Sequence, residues 1–379
     1  MKRVAFYTNL PSPYRVDFFN ELGKNCELFV FFEMSRASNR DEKWFSDHCK
    51  NFTPIFLNPV FHSAENAFCP DAIAQYKKVS PEINIVCSAL SPTGIRLIDY
   101  FIRHNIEYSI EGDGAFDRPC SWLKGKIKQR LFGHAKSLLY TSEEHKKYLL
   151  RFGAREEQLF KYPFSSVCDA DIELGEIGPL KKGSIRKSLG IDSDRFLFLS
   201  AGRYLGLKNF ESVIDAYGTA KIPNSELIIV GGEPTKEYLN VIQEKKIKGV
   251  RFVPFVPKQE FYDYLKAADC FVFASLGDIW GLVINEALAN GVPVISSKTT
   301  LSAVELVANG ADISLFDGLD VRTLADFMIR YSRMDSTRLE KMRDQNLRVI
   351  KGFTIEAMAN RHLEWLDTTY FSSTKSRQK

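Results

Sequence analysis

GDIWGLVINEALANGVPVI, residues Gly277–Ile295, follows directly on the apolar run Cys270, Phe271, Val272 and Phe273. The run reads as a buried strand, Gly277–Gly281 as a turn, and the residues from Leu282 onward as a helix in which Leu282, Glu286 and Leu288 mix with small residues. Asp278 falls in the turn and Glu286 about two helical turns into the helix, so both carboxylates are expected at the mouth of one crevice. The turn also frees the N–H groups of Gly281, Leu282 and Val283 at a helix N-terminus, where the helix dipole favours an anion.

Acidic residues at helix starts are commonly caps, and a helical glutamate is usually solvated. A phosphate flanked by two hydroxyl-binding carboxylates is the other reading, and it describes a nucleotide sugar. Upstream, SAGRYLGLKNFESVIDAY carries Gly202 after a strand, then Arg203 and Lys208 at a spacing that lets both cations reach a diphosphate. Arg bridges two phosphate oxygens and Lys supplies a movable point charge. Taken alone, Lys208 reads equally well as the start of an exposed helix and Arg203 as a surface residue.

The chain has 379 residues, 45% of them hydrophobic, enough for two domains of ordinary size. Seven cysteines, Cys26, Cys49, Cys69, Cys87, Cys120, Cys168 and Cys270, are scattered with no CxxC pair. They fit neither a disulfide framework nor a zinc site and point to a reducing cytosol. The start, MKRVAFYTNLP, has too short an apolar run for a signal peptide, and no run approaches 18 apolar residues, so a soluble or peripherally membrane-bound protein is expected. Net charge is +4, with the basic excess before residue 165. That is too mild to argue for nucleic acid, and no nucleic-acid module is legible.

Short β-rich runs alternate with helical patterns from end to end: RVAFYTN, ELFVFF, INIVCS, EYSI and SLLYTS, then RFLFLSAG, ELIIVGG, VRFVPF, DCFVFAS and GVPVISS. Such alternation predicts parallel sheets with helices on both faces. Between Tyr162 and Asp194 it lapses into turn-prone and charged residues, read as a linker. The expectation is α/β architecture with two doubly wound, Rossmann-like domains facing a cleft. Residues 1–165 form the first domain and 166–352 the second. FTIEAMANRHLEWLDTTYF returns to the first domain, so that 353–379 belong with it, and FSSTKSRQK frays.

With the segments in this order, residues 196–330 resemble the donor-binding half of family 4 retaining glycosyltransferases of GT-B fold, of bacterial polysaccharide or lipopolysaccharide type. In that family a Gly-Arg-x-x-x-x-Lys segment follows the first strand of the C-terminal domain, and a Glu-x-Phe-Gly-Leu-x-x-x-Glu segment runs into Ala-x-Gly-x-Pro-Val. IIVGG, with Gly231, and VRFVPFVPKQEFYDYLKAADCFVFAS, with Phe255 and Val256 in a base-binding stretch, match between them. The resemblance implies donor binding by Gly202, Arg203, Lys208, Gly231, Phe255, Val256, Asp278, Trp280, Gly281, Leu282, Val283 and Glu286. Glu286 would hold the ribose hydroxyls, Arg203 and Lys208 the diphosphate, and Asp278 the sugar hydroxyls. Two positions depart from the pattern: Asp278 stands where Glu is usual and Trp280 where Phe is common.

The first half matches less closely. NLPSPYRVDFFNEL, with Ser12, Pro13, Tyr14 and Arg15, resembles a subgroup lacking the usual double glycine, and these four are placed on the acceptor side. Glu111 and Asp113 of IEGDGAF follow a strand and are candidate catalytic groups, with turn formation as the alternative. Many relatives carry a histidine in this neighbourhood, and none is read here.

The resemblance implies an enzyme, a hexosyltransferase moving sugar from a nucleotide-diphosphate sugar, UDP-sugar first, to a glycan or lipid-linked glycan acceptor with retention. It implies neither cofactor nor metal. Asp169-Ala170-Asp171 and Asp192-Ser193-Asp194 look like metal-binding Asp-x-Asp motifs but fall in the linker. In residues 121–136, SWLKGKIKQRLFGHAK, Leu123, Ile127 and Leu131 share a helical face, with Lys124, Lys126, Lys128 and Arg130 mostly elsewhere. Such a helix either rests on an anionic membrane surface or covers its own sheet. A cytoplasmic location, peripheral on the inner face of the cell membrane, is consistent with the first. A non-catalytic nucleotide-sugar-binding subunit and a GT-B epimerase are the competing readings. The absence of a GxGxxG turn after a first strand disfavours a dehydrogenase.

Overall fold

The structure is a computed structural model that describes residues 2–36, 48–62, 67–173 and 179–371. The chain divides into two compact units, Met1–Ser166 with Thr354–Lys379, and Val167–Phe353.

The first unit runs β1 (Arg3–Thr8), α1 (Pro13–Leu22), β2 (Glu27–Phe32), β3 (Thr53–Phe56), β4 (Phe61–His62), β5 (Ala67–Phe68), α2 (Ala72–Val79), β6 (Ile83–Val86), α3 (Pro92–Arg103), β7 (Ser109–Glu111), α4 (Trp122–Gly133), β8 (Ser137–Tyr140), α5 (Glu143–Arg151) and β9 (Leu159–Lys161). Its main sheet is parallel, in the order β3-β2-β1-β6-β7-β8-β9. Strands buried on both faces need continuous apolar runs, which Val4–Tyr7 and Ile83–Val86 supply with one polar exception, Asn84. Asn84 is satisfied by the Tyr7 hydroxyl at 3.0 Å.

The second unit contains α6 (Pro179–Ser188), β10 (Phe196–Ala201), α7 (Phe210–Ala220), β11 (Ser225–Val230), α8 (Lys236–Glu244), β12 (Val250–Val253), α9 (Lys258–Ala267), β13 (Cys270–Phe273), α10 (Leu282–Ala289), β14 (Val294–Ser297), α11 (Leu301–Ala308), β15 (Ile313–Phe316), α12 (Val321–Ser332) and α13 (Ser336–Ile350). Its six parallel strands lie in the order β12-β11-β10-β13-β14-β15. In each sheet the chain winds outward one way from the first strand and then resumes on that strand's other side. The reversal falls between β1 and β6 in one unit and between β10 and β13 in the other, and crevices at the carboxyl ends of such strands are where α/β sheets bind ligands.

After α13 the chain re-enters the first unit as α14 (Ile355–Leu366), capped by Thr354, whose hydroxyl accepts the Ala357 amide at 3.1 Å. Trp365 is wholly buried and its indole N–H donates to Ser137 Oγ at 3.0 Å. The Lys2 ammonium donates to the Tyr370 carbonyl at 3.0 Å, tying the end of the described chain to its start. Burying aromatic and aliphatic side chains here contributes about 1.5–3 kcal/mol apiece. The fraying expected from Ser372 onward lies outside the described residues.

The stretch read as linker holds a helix, α6. Its residues are poor in apolar periodicity because charge, not an apolar stripe, docks it: Lys182 and Arg186 each reach an Asp269 oxygen at 2.6 Å. Tertiary contacts override weak local preference there. The apolar stripe read in α4 is split as well. Leu131 and Phe132 are buried and Ile127 packs partly buried against the core, but Trp122 is 76% and Leu123 63% exposed, so only the helix from Ile127 onward covers the core.

Candidate active site

Strand β10 enters its crevice through Gly202, with φ +146°, beside Gly231 at the end of β11, with φ +141°. A Cβ on Gly231 would lie 2.1 Å from the Gly202 carbonyl oxygen, so the two backbones approach as only glycine allows. Arg203 follows, half-buried, with no side-chain partner among the described residues. The Lys208 side chain passes Gly202, its Cε 3.6 Å from where a Cβ would stand, and forms an ion pair with Asp278. Its ammonium also lies 5.0 Å from the centre of the Phe273 ring. Asn209, in the left-handed conformation, pins this turn by donating to the Gly318 carbonyl at 2.8 Å and the Ala274 carbonyl at 3.2 Å.

Asp278 is fixed from the other side. Its amide donates to the Thr299 carbonyl at 2.9 Å and its carbonyl accepts the Leu301 amide at 3.1 Å. Three residues later Gly281, with φ +88°, precedes α10, and a Cβ there would meet Thr300 Cγ2 at 2.7 Å. Among the described residues no side chain caps α10, and its first turn holds no acid, which leaves its leading amides, at half-buried Leu282 and Val283, to another acceptor. Glu286 lies on the same helix, half-buried. Its charge, after burial itself, helps push the buried Tyr262 hydroxyl of α9 well up. Phe255 and Val256 are half-buried in the loop after β12.

Trp280 departs from the donor-contact expectation. It is 2% exposed, its indole N–H donates to Asn285 Oδ1 at 3.0 Å, and its ring stacks near Phe353. It packs the base of the turn instead of facing a ligand.

In the first unit the acceptor-side expectation for Arg15 and the catalytic one for Glu111 also change. Both are buried and paired with each other. Burial by itself would raise the Glu111 carboxyl, but the Arg15 guanidinium and then His362 outweigh it and hold it at about 2. Neither side chain is open to a ligand, because each is the other's counter-ion. Ser12 is buried at the start of α1, which Pro13 opens; Tyr14 is half-buried, edge-on to Phe164 at 5.6 Å. Asp113 is half-buried in the turn after β7, and its carbonyl accepts the Thr141 hydroxyl at 3.3 Å.

A histidine does occupy this neighbourhood. His145, on α5, lies under Gly112, where a Cβ would approach its Cε1 to 2.6 Å, and burial depresses it to about 3. The Ser-x-x-His cap that positions it, with Ser142 Oγ accepting the His145 amide at 3.3 Å, is the one local signal for it. Another group that went unread is Glu33, 2% exposed just past β2, which accepts from Ser88 Oγ at 2.5 Å and Ser91 Oγ at 2.6 Å. Burial raises its carboxyl against the pull of those hydroxyls.

Of the Asp-x-Asp pairs, Asp171 accepts the Cys168 amide and pairs with Lys258, both at 2.7 Å. Asp192 accepts the Asp194 amide at 3.1 Å. Among the described residues no three His, Cys, Asp or Glu side chains gather as metal ligands would.

Residues 181–347 match the family described as glycosyl transferases group 1. Alpha-monoglucosyldiacylglycerol synthase of Acholeplasma laidlawii is 33% identical over 30% of this chain and 29% of its own length. D-inositol 3-phosphate glycosyltransferase of a Nocardioides species is 30% identical over 44% of this chain and 40% of its own. The chain thus spans less than half the length of these curated relatives. Among solved structures, sucrose-phosphate synthase from Thermosynechococcus elongatus superposes with a TM-score of 0.76 at 17% identity, covering 98% of this chain and 100% of that one. Anabaena HepE, in complex with UDP and glucose, does so with a TM-score of 0.76 at 16% identity, covering 97% and 100%. With the two doubly wound sheets described above, these likenesses give the chain the GT-B fold, and residues 181–347 are similar to glycosyl transferases group 1.

Proposed function

We propose that the chain is a retaining, metal-independent glycosyltransferase that moves a hexose-type sugar from a UDP-sugar to a glycan or lipid-linked glycan acceptor in cell-surface polysaccharide synthesis. The observation that carries this reading is the Lys208–Asp278 pair beside the uncapped start of α10 at the reversal point of the second sheet. An arriving diphosphate competes for Lys208 and takes the α10 amides, which releases the Asp278 carboxylate to accept hydrogen bonds from sugar hydroxyls. Arg203 adds a second cation and Glu286 takes the ribose hydroxyls. Gly202 and Gly231 let the donor approach the backbone, and Phe255 and Val256 meet the base.

In the transfer, the bond between the anomeric carbon and the phosphate oxygen breaks and its electron pair stays on the phosphate. The acceptor hydroxyl oxygen bonds to the anomeric carbon on the same face, and its proton passes to the departing phosphate oxygen. Arg203, Lys208 and the helix amides stabilise the charge that develops there, so the rate rests on electrostatics and orientation. Tyr14 and Asp113 supply the acceptor side in the first unit.

Trp122 and Leu123, exposed on α4 next to exposed Lys124 and Lys126, suit an anionic membrane surface at the inner face of the cell membrane. No helix among the described residues is long and apolar enough to cross a membrane. Thermal shift against UDP-, GDP-, ADP- and dTDP-sugars tests the donor assignment: UDP-sugars should raise the Tm most, and equal shifts from all four would remove the uracil preference.

A further inference from the structure

His362, wholly buried on α14, points both ring nitrogens at oxygen acceptors. Nδ1 lies 2.8 Å from the Met358 carbonyl oxygen, whereas Nε2, 3.5 Å from Glu111 Oε2, has no hydrogen-bond partner among the described residues. Nδ1 therefore carries a ring proton. Phe18 and Tyr162 flank the ring, with centroids at 4.7 and 4.8 Å.

Glu111 ends β7, and Gly112, Asp113 and Gly114 form the turn that follows. The Tyr162 hydroxyl lies 3.2 Å from Glu111 Oε1 and 3.0 Å from the Gly112 carbonyl oxygen, joining the carboxylate to the turn's backbone. Arg15 and the Cys87 thiol, the latter at 3.7 Å, complete the shell around Glu111. A continuous set of contacts thus runs from α14 through His362, Glu111 and Tyr162 to Gly112. A helix that served only as a brace would be better filled by an apolar ring at 362, since a buried polar group costs stability unless its partners are in place.

We propose that His362 is a positioning residue for the Gly112–Gly114 turn: through Glu111 and Tyr162 it fixes the backbone that carries Asp113, so that the C-terminal helix shapes the acceptor side of the first unit. The words "acceptor side" rest on the function proposed above, while the positioning itself does not.

Hydrogen–deuterium exchange on the full chain tests it, comparing the wild type with His362→Phe, which keeps a ring and removes both nitrogens, and with Tyr162→Phe, which removes only the hydroxyl. Peptides spanning residues 112–114 should exchange roughly tenfold faster in both variants, with residues 355–366 of α14 and all of the second unit unchanged. UDP affinity should also be unchanged. Unaltered exchange at 112–114 in Tyr162→Phe, or faster exchange confined to α14 in His362→Phe, would overturn the proposal. Should His362→Phe fail to fold, His362→Gln takes its place, and unaltered exchange at 112–114 in that variant would overturn the proposal. A wild type that binds no UDP would count against the proposed function and leave this readout intact.

Discussion

Lys208 and Asp278 close an ion pair across the carboxyl ends of β10 and β13, joining two turns that lie seventy residues apart in sequence. Each charge serves as the other's counter-ion in the ligand-free protein, so the basic and acidic halves of the crevice are held ready without an unpaired buried charge. Removing one partner should therefore act differently from removing the other.

Lys208→Ala should weaken UDP binding by about 1.5–3 kcal/mol, roughly ten- to hundredfold in Kd, and leave uridine binding nearly unchanged. Asp278→Asn frees the lysine, so UDP should bind as well or better while transfer from the UDP-sugar falls. Calorimetric titration of UDP and uridine into both variants checks this. Equal losses for the two ligands in Lys208→Ala would place the lysine away from the diphosphate.

Gly231→Ala should destabilise the second unit by at least about 1–3 kcal/mol and abolish UDP binding, because its Cβ meets the Gly202 carbonyl and its φ of +141° is strained for any side chain. Thermal unfolding monitored with and without UDP measures both effects. A variant with wild-type Tm and affinity would mean that the two strand ends do not approach as described.

Acid should unfold the first unit in two windows. His145 is held near 3 against an ordinary 6.5, so the folded form binds fewer protons than the unfolded one, and stability present above 6.5 is lost as pH falls toward 3. Glu111 is held near 2 against 4.5, so its contribution, complete above 4.5, is lost as pH falls toward 2. His145→Gln should flatten the stability curve between pH 6.5 and 4.5 and leave the lower window in place. Denaturant unfolding from pH 7 to 3 reads this, and an unchanged upper slope in His145→Gln would show that another group is responsible.

Truncation after Gly352 removes Trp365 and His362 from the first unit and should cost it its cooperative unfolding transition, whereas removing residues from Ser372 onward should leave Tm unchanged. Differential scanning calorimetry of both truncations decides, and a retained first-unit transition in the shorter chain would mean that α14 is dispensable.

Sequence periodicity made most of the sheets readable, because fully buried strands such as Phe198–Leu199 and Leu227–Val230 must be apolar without a break. The strand-to-helix turns at Gly202 and Gly281 were readable for a related reason: glycine stands where backbone must turn or approach. Three things lay beyond such patterns. Helix α6 has charged docking contacts in place of an apolar stripe. Arg15 and Glu111, 96 positions apart, neutralise each other, and nothing local in either segment announces it. His145 reaches Gly112 from a different strand-to-helix unit, so a search along the Glu111–Asp113 segment could not find it. Trp280 shows the converse limit, since its place in a ligand-binding pattern does not say whether the ring faces the ligand or the core.

The central claim, retaining transfer at the crevice of the second unit, is tested most directly by proton NMR of donor hydrolysis with the UDP-sugar that raises Tm most. With water as acceptor, the wild type should slowly release the sugar in the same anomeric form that it has in the donor, before mutarotation, and Glu286→Ala should release almost none. Initial release of the opposite anomer, or equal rates in the wild type and Glu286→Ala, would contradict the account.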